Sequence, residues 1–261
     1  MAPDGTPAPA SLDDALALMR DLRTRCEWDR AQTHTSLRPY LIEEAHEVDE
    51  AISHGHDATL RDELGDLFLQ VLFHAVVAEE RGAFSMADVA GALVAKMRSR
   101  HPHLYGDGER RSWEAMKAET TRRTSLEEGL PVALPSLHRA HRLQDRAAGV
   151  GFDWPDALGP LAKVREEIDE VAAHITPDGR VGNTIAFESE IGDLLFAVVN
   201  LARKTGVHPA LALDGANRKF VGRYAAMERL AVERGLEFAK LSLIEQDALW
   251  DAVKVDERTA G

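Results

Sequence analysis

Closely spaced carboxylates in the second half of the sequence could together bind a divalent cation. Glu166, Glu167 and Glu170 form the pattern EExxE, and Glu190 and Asp193 follow it as ExxD. At about 100° per residue in a helix, Glu167 and Glu170 share one border of the helix, whereas Glu166 points elsewhere. Because like charges this close repel one another, a cation that neutralises them would stabilise the arrangement.

Oxygen ligands without cysteine or paired histidine are typical of Mg²⁺, and also of Mn²⁺. We therefore predict that Glu167, Glu170, Glu190 and Asp193 are metal ligands, and we include Glu166 with them among the catalytic residues. The alternative is that these side chains form the ordinary solvated face of acidic helices.

The same patterns occur in the same order in the first half of the sequence. Glu43 begins a second EExxEV, Glu63 begins a second ExGDL, and Lys96 begins a KxxxR pattern that recurs at Lys219. Ordered repetition of this kind predicts a duplicated domain, and we place the two domains at residues 1–125 and 126–261. The corresponding residues of the first domain form a predicted second site: Glu44, Glu47, Glu63, Asp66, Lys96 and Arg100.

The composition predicts that helices position these side chains. Ala, Leu, Glu, Arg and Asp dominate, and the alternating Val, Ile and Thr runs typical of strands do not occur. We predict an all-α fold with ten helices: residues 12–25, 37–54, 59–81, 86–100, 112–123, 136–148, 157–175, 186–205, 209–234 and 242–255. An apolar stripe on the helix over residues 157–175 is expected to face the core of a bundle: Leu161, Val164, Ile168, Val171 and Ile175.

The overall charge and the cysteine count exclude several classes of protein. The chain has 261 residues with a formal net charge of −13, which argues against a protein that binds a phosphate backbone. The single cysteine, Cys26, excludes an internal disulfide framework and suits a reducing compartment. No apolar run is long enough to span a membrane, and the first residues do not form a signal peptide. We therefore expect a cytoplasmic protein that binds neither membranes nor nucleic acid.

The ordered set of motifs is similar to that of a known family. EExxE, ExxD and the downstream KxxxR resemble the all-α nucleoside triphosphate pyrophosphohydrolases, and the duplicated arrangement resembles the MazG family. Further matching segments are Cys26-Glu27-Trp28-Asp29, Gln32-Thr33-His34, Leu37-Arg38, Gly151-Phe152-Asp153-Trp154 and Asn217-Arg218-Lys219-Phe220. One difference is Glu27, because this family usually has proline there, and the difference affects the entry to a loop rather than the carboxylates.

The resemblance implies a reaction, a cofactor and an assembly. The expected reaction is Mg²⁺-dependent hydrolysis of (deoxy)nucleoside triphosphates to the monophosphate and pyrophosphate, with water attacking the α-phosphorus, as a step in nucleotide-pool cleaning. Because this family is built from dimeric units, we expect a homodimer in which pairing completes a four-helix core. The resemblance also places the main activity in the C-terminal half.

Such a reaction requires cations that bind the triphosphate. Lys219 and Arg223, one helical turn apart, could hold the β- and γ-phosphates, and Lys163 beside the carboxylates could add a further contact. Trp250 and Lys254 could stack on the base or close over the phosphates, and the resemblance favours this role. The alternatives are surface ion pairs for the basic residues and a core position for the tryptophan.

The two halves differ at one cation. Alignment of Glu44 with Glu167 places Tyr40 where Lys163 stands in the second half, so the first site lacks one phosphate contact. His101-Pro102 also ends the helix after Arg100 in the first half. We therefore predict that turnover depends on the second half.

Two other functions are compatible with parts of this pattern. A di-iron carboxylate bundle needs Glu-x-x-His on two helices, whereas only Glu43 to His46 provides this motif and its repeat has Asp169 in place of the histidine. A regulatory scaffold that binds nucleotide and Mg²⁺ without turnover would show the same carboxylates, and pyrophosphate release distinguishes it from an enzyme.

Overall fold

The computed structural model describes residues 9–106 and 125–260, and these residues confirm the all-α prediction. They contain eleven α-helices and a short 3-10 helix, and their one β-type contact is an isolated bridge between Ile175 and Val181. The chain divides into two compact units, residues 1–110 and 111–261, so this division falls before the predicted boundary at residue 125. The predicted helix at 112–123 lies outside the described residues.

Unit 1, residues 1–110, is organised around helices that pack on its longest member, α4. The helices are α1 (Leu12–Arg25), α2 (Glu27–Ala31), α3 (Arg38–His54), α4 (Asp57–Glu80), α5 (Met86–Ser99) and α6 (Pro102–Tyr105). Ser11 begins α1 with a capping box that Asp14 completes, and Gly55 ends α3 in the left-handed conformation that favours glycine. The buried core of this unit consists of Met19, Leu37, Leu72, Phe73, Val76 and Val77.

Unit 2, residues 111–261, contains two packed groups of helices. Its elements are α7 (Ser136–Gly149), α8 (Leu158–Ala173), α9 (Thr184–Lys204), α10 (Pro209–Glu233), the 3-10 helix (Phe238–Lys240) and α11 (Leu243–Ala260). Helix α9 packs against α8 and α7, while α10 packs against α11 around a core of Met227, Ala231, Leu249 and Val253. Every predicted helix that falls within the described residues is present, whereas the short helices α2 and α6 were not predicted.

The predicted apolar stripe on α8 is wrong in part, because Ile168 at its middle is exposed among the residues that the structure describes. Ile168 is 49% exposed and Ile175 is 46% exposed, whereas the neighbouring Glu167 is only 3% exposed. The 3.6-residue periodicity identified residues that share a face but not which face packs on α9. Further exposed apolar side chains lie on α9, namely Leu195, Phe196 and Val198. In the described part of the chain, no helix is long and apolar enough to cross a membrane.

Three histidines meet where α7 packs against the start of α10. The ring centroid of His208 lies 4.7 Å from that of His138 and 4.8 Å from that of His141. Burial lowers the pKa of both His141 and His208, and Asp145 opposes this shift only in part. The folded protein therefore resists protonation of His141 and His208 more than the unfolded chain does.

We expect unit 2 to lose stability as the pH falls below about 6.5, the ordinary histidine pKa. The unfolded chain then binds protons that the folded cluster resists, so the free energy of unfolding decreases with falling pH. Chemical unfolding at pH 7.5 and pH 5.5 measures this loss, which should be smaller in the His141→Gln, His208→Gln double variant. The exposed His56, replaced by Gln, is the control that should retain the wild-type loss. An equal loss in all three proteins would contradict the assignment.

Candidate metal centre and adjoining cavity

Three carboxylates from two adjacent helices of unit 2 converge on one point. Glu167 of α8 and Glu190 and Asp193 of α9 each offer an oxygen within 4.8 Å of the others. The helices present them together because α8 and α9 pack along their lengths and the acidic residues recur at helical spacing. We call this set the carboxylate triad.

The most buried member of the triad carries an oxygen without a partner. Glu167 is 3% exposed, and across residues 9–106 and 125–260 nothing donates a hydrogen bond to its Oε2. A buried carboxylate oxygen in this state is costly unless a cation binds it. Converging oxygens with one such orphan atom form the donor set of a hard divalent cation, so the triad could hold a metal ion.

Lys163 compensates part of the negative charge at the triad. Its Nζ lies 2.5 Å from Oε1 of Glu167 and donates a hydrogen bond of 2.8 Å to Oε1 of Glu166. These contacts raise the pKa of Lys163, and Lys163 in turn lowers the pKa of Glu167. The pKa of Glu170 is raised, first by the neighbouring Glu167 carboxylate and then by burial. Glu170 therefore borders the triad, while Glu166 is exposed and faces Lys163.

A cavity of about 510 Å³ opens beside the triad. Helix α7 contributes Leu143, Gln144 and Ala147, α8 contributes Pro160, Lys163 and Glu167, and α9 contributes Asp193, Phe196, Ala197, Asn200 and Arg203. Phe152 and Trp154, from the loop before α8, complete a wall that is mainly apolar and aromatic. An apolar cavity that also presents a few charged groups is typical of a small-molecule site.

The aromatic loop is held in place by specific contacts. Asp153 accepts hydrogen bonds from Arg203 and from Lys204, the latter at 2.9 Å, which attaches the loop to the end of α9. Trp154 lies directly against Gly159, where a Cβ atom would come within 2.0 Å of the indole Cδ1. Any side chain at position 159 would therefore displace Trp154 from the cavity wall.

Of the predicted substrate-binding residues, Lys163 lines the cavity, whereas the other four lie elsewhere in unit 2. Arg223 on α10 donates to Glu257 on α11 and lies 5.4 Å from the ring centroid of Trp250. Trp250 packs beside the α10–α11 core, and Lys254 pairs with Asp251 at 3.2 Å. Within the described residues, the cavity lining does not include Lys219, Arg223, Trp250 or Lys254.

Unit 1 repeats the carboxylates but not their cation. Glu44, Glu63 and Asp66 each offer an oxygen within 4.8 Å of the others, and burial followed by the charge of Asp66 raises the pKa of Glu44. Glu47 contributes to the same shift in the pKa of Glu44. Tyr40, at the position of Lys163, instead lies edge-on to Trp28 with ring centroids 6.2 Å apart. Lys96 and Arg100 lie on α5 and at its C-terminal end.

Sequence reasoning missed the amides of the cavity. Gln144 and Asn200 are 6% and 9% exposed, and the residues on either side of Asn200 are largely apolar. Buried amides are uncommon because they need hydrogen-bond partners, which is the signal that could have identified them. The burial itself depends on how α7 packs against α9, and no local pattern encodes that contact.

Comparisons with known proteins identify a matching family and several relatives. The MazG nucleotide pyrophosphohydrolase domain matches residues 32–105. The chain is 41% identical over 254 residues to the nucleoside triphosphate pyrophosphohydrolase/pyrophosphatase MazG of Thermotoga maritima, covering 95% of this chain and 97% of that protein. It is 40% identical over 260 residues to the nucleoside triphosphate pyrophosphohydrolase of Escherichia coli K12, covering 94% and 98%. A Mycobacterium tuberculosis protein of the same name is 36% identical over 182 residues, covering 67% and 53%.

Proposed function

Because the chain belongs to the MazG nucleotide pyrophosphohydrolase family, we propose that it hydrolyses nucleoside triphosphates to the monophosphate and pyrophosphate at the carboxylate triad of unit 2. The observation that carries this proposal is the buried, unpartnered Oε2 of Glu167 beside a cavity large enough for a nucleoside. Ribo- and deoxyribonucleotides of the cytoplasmic pool are the proposed substrates, with removal of unwanted nucleotides as the role.

We propose Mg²⁺ as the cofactor, with Mn²⁺ as a substitute, because hard oxygen ligands form the triad. Glu167, Glu190 and Asp193 would hold the ion, which would supply positive charge to the phosphate oxygens and to the leaving pyrophosphate. Lys163 offsets the charge of Glu166 and Glu167, which lowers the repulsion that a polyanion meets at the triad. The apolar wall with Phe152 and Trp154 receives the nucleoside.

We also propose that the active form is a homodimer. Ile168 on α8 and Leu195 on α9 expose about half of their surface, and a second copy of the chain would cover them. Lys219 and Arg223 are absent from the lining of the cavity in the described chain, so the partner subunit is the proposed source of these cations. Unit 1 would hold a second, weaker site, because Tyr40 replaces Lys163 there.

The test is product analysis with a panel of canonical and damaged nucleotides. With Mg²⁺ we expect the monophosphate and pyrophosphate in equal amounts, and with excess chelator we expect no product, because the carboxylates alone repel the triphosphate. Release of diphosphate and orthophosphate would contradict attack at the α-phosphorus. Nucleotide binding without any product would favour the regulatory scaffold instead.

A further inference from the structure

Gln144 of α7 is a buried amide in the wall of the cavity. It is 6% exposed, and its Nε2 donates a hydrogen bond of 2.8 Å to the backbone carbonyl of Phe196. A carbonyl oxygen accepts hydrogen bonds but does not donate them, so this contact determines which end of the amide is nitrogen. The other end, Oε1, is therefore an acceptor, and no residue that the structure describes donates to it.

Asn200 of α9 is the second amide in the same cavity. Its Oδ1 accepts hydrogen bonds from Nε and from a terminal nitrogen of Arg203, at 3.0 and 2.8 Å. Because these contacts occupy the oxygen, Asn200 can offer the cavity only the N–H groups of Nδ2. The cavity wall thus combines one acceptor and one donor in an otherwise mainly apolar surface.

We infer that Gln144 accepts a hydrogen bond from an N–H group on the edge of the nucleobase, so that this cavity selects nucleotides whose base carries such a donor. The inference rests on the proposed function. Gln144 lies on the α7 wall of the cavity, whereas Lys163 and Glu167 lie on α8, so the amide and these charged groups belong to different walls. A buried acceptor without a partner is costly, and a base donor would satisfy it.

The inference predicts discrimination between bases that differ in one amino group. Purine riboside triphosphate is ATP without its 6-amino group, and it therefore lacks an N–H donor on that edge. We expect wild-type protein to hydrolyse ATP with a kcat/KM about 10- to 100-fold above that of this analogue, the range of a lost buried hydrogen bond. CTP and its analogue without the 4-amino group form a second substrate pair.

Gln144→Met removes the acceptor and keeps an unbranched side chain of similar length. In this variant the ratio of the two kcat/KM values should fall to about one, because neither substrate then finds an acceptor. A lower fraction of folded protein does not change the ratio of the two kcat/KM values, because both substrates are measured on the same preparation. Gln246→Met is the matched control, because Gln246 on α11 contacts the carbonyl of Phe238 and does not line the cavity in the part of the chain that the structure describes.

Three outcomes would overturn the inference while leaving the proposed function intact. The first is equal hydrolysis of both members of each pair by the wild type. The second is an unchanged ratio in Gln144→Met, and the third is an effect of Gln144→Met that differs between ATP and dATP but not between ATP and its base analogue, which would place the acceptor at the sugar. If no nucleotide yields pyrophosphate, the proposed function itself fails.

Discussion

Replacement of both Glu167 and Glu170 by alanine should reduce pyrophosphate release by roughly 10³-fold or more. The change removes the buried member of the carboxylate triad and the carboxylate that borders it, so the divalent cation loses one of its three ligands and a neighbouring negative charge. Helix α8 should remain folded, because Val164 and Val171 are untouched. The measurement is pyrophosphate release under saturating Mg²⁺, with circular dichroism to check helicity.

The matched variant, Glu44→Ala with Glu47→Ala, makes the same change in unit 1. We expect it to retain most of the activity, because Tyr40 packs against Trp28 where unit 2 has Lys163. Loss of one phosphate cation weakens triphosphate binding by roughly 1–3 kcal/mol, the scale of a hydrogen bond to a charged group. If the unit 1 variant is inactive and the unit 2 variant is active, the active half is assigned backwards.

A second comparison separates the two adjacent glutamates. Glu166→Gln should cost less activity than Glu167→Gln, since Glu166 is exposed, lies outside the triad and contacts only Lys163 among the groups of the site described above. Equal and complete loss of metal binding in both variants would show that the helix presents Glu166 to the ion as well.

The carboxylate triad could be predicted from the sequence because helical periodicity determines which residues share a helix face. EExxE and ExxD lie on helices that follow each other in the chain, and such helices usually pack together. The cavity could not be predicted from the sequence in the same way. It needs Gln144, Trp154 and Asn200, which three different segments bring together through contacts such as Asp153 with Arg203.

The burial of α8 shows a second limit of periodicity. Leu161, Val164 and Ile168 share one face, yet Ile168 is half exposed while Glu167 is buried. A pattern of apolar residues does not say which part of a face packs against a neighbouring helix and which part stays exposed. The short helices α2 and α6 were missed because four or five residues are too few to establish a period.

The positions of Lys219 and Arg223 lead to the second large effect, complementation between two inactive variants. Asp193→Ala removes a triad ligand, and Lys219→Ala with Arg223→Ala removes the phosphate cations, so each homodimer should be nearly inactive. If one subunit provides the triad and its partner provides the cations, a heterodimer of the two variants contains one intact site. Heterodimers isolated by two different affinity tags should therefore recover about half of the wild-type activity.

Mixing restores activity only if each active site is built from both subunits. If each chain supplied its own cations, every site in the heterodimer would lack either Asp193 or the pair Lys219 and Arg223, and mixing would restore nothing. Light scattering provides the physical check, since a stable monomer at micromolar concentration would contradict the dimer. Arg223 also pairs with Glu257 across α10 and α11, so Glu257→Gln serves as the control that removes this ion pair but keeps both cations. Near wild-type activity in that control would show that the cation variant loses activity because contacts with the phosphates are missing. It would exclude altered packing of α10 against α11 as the cause.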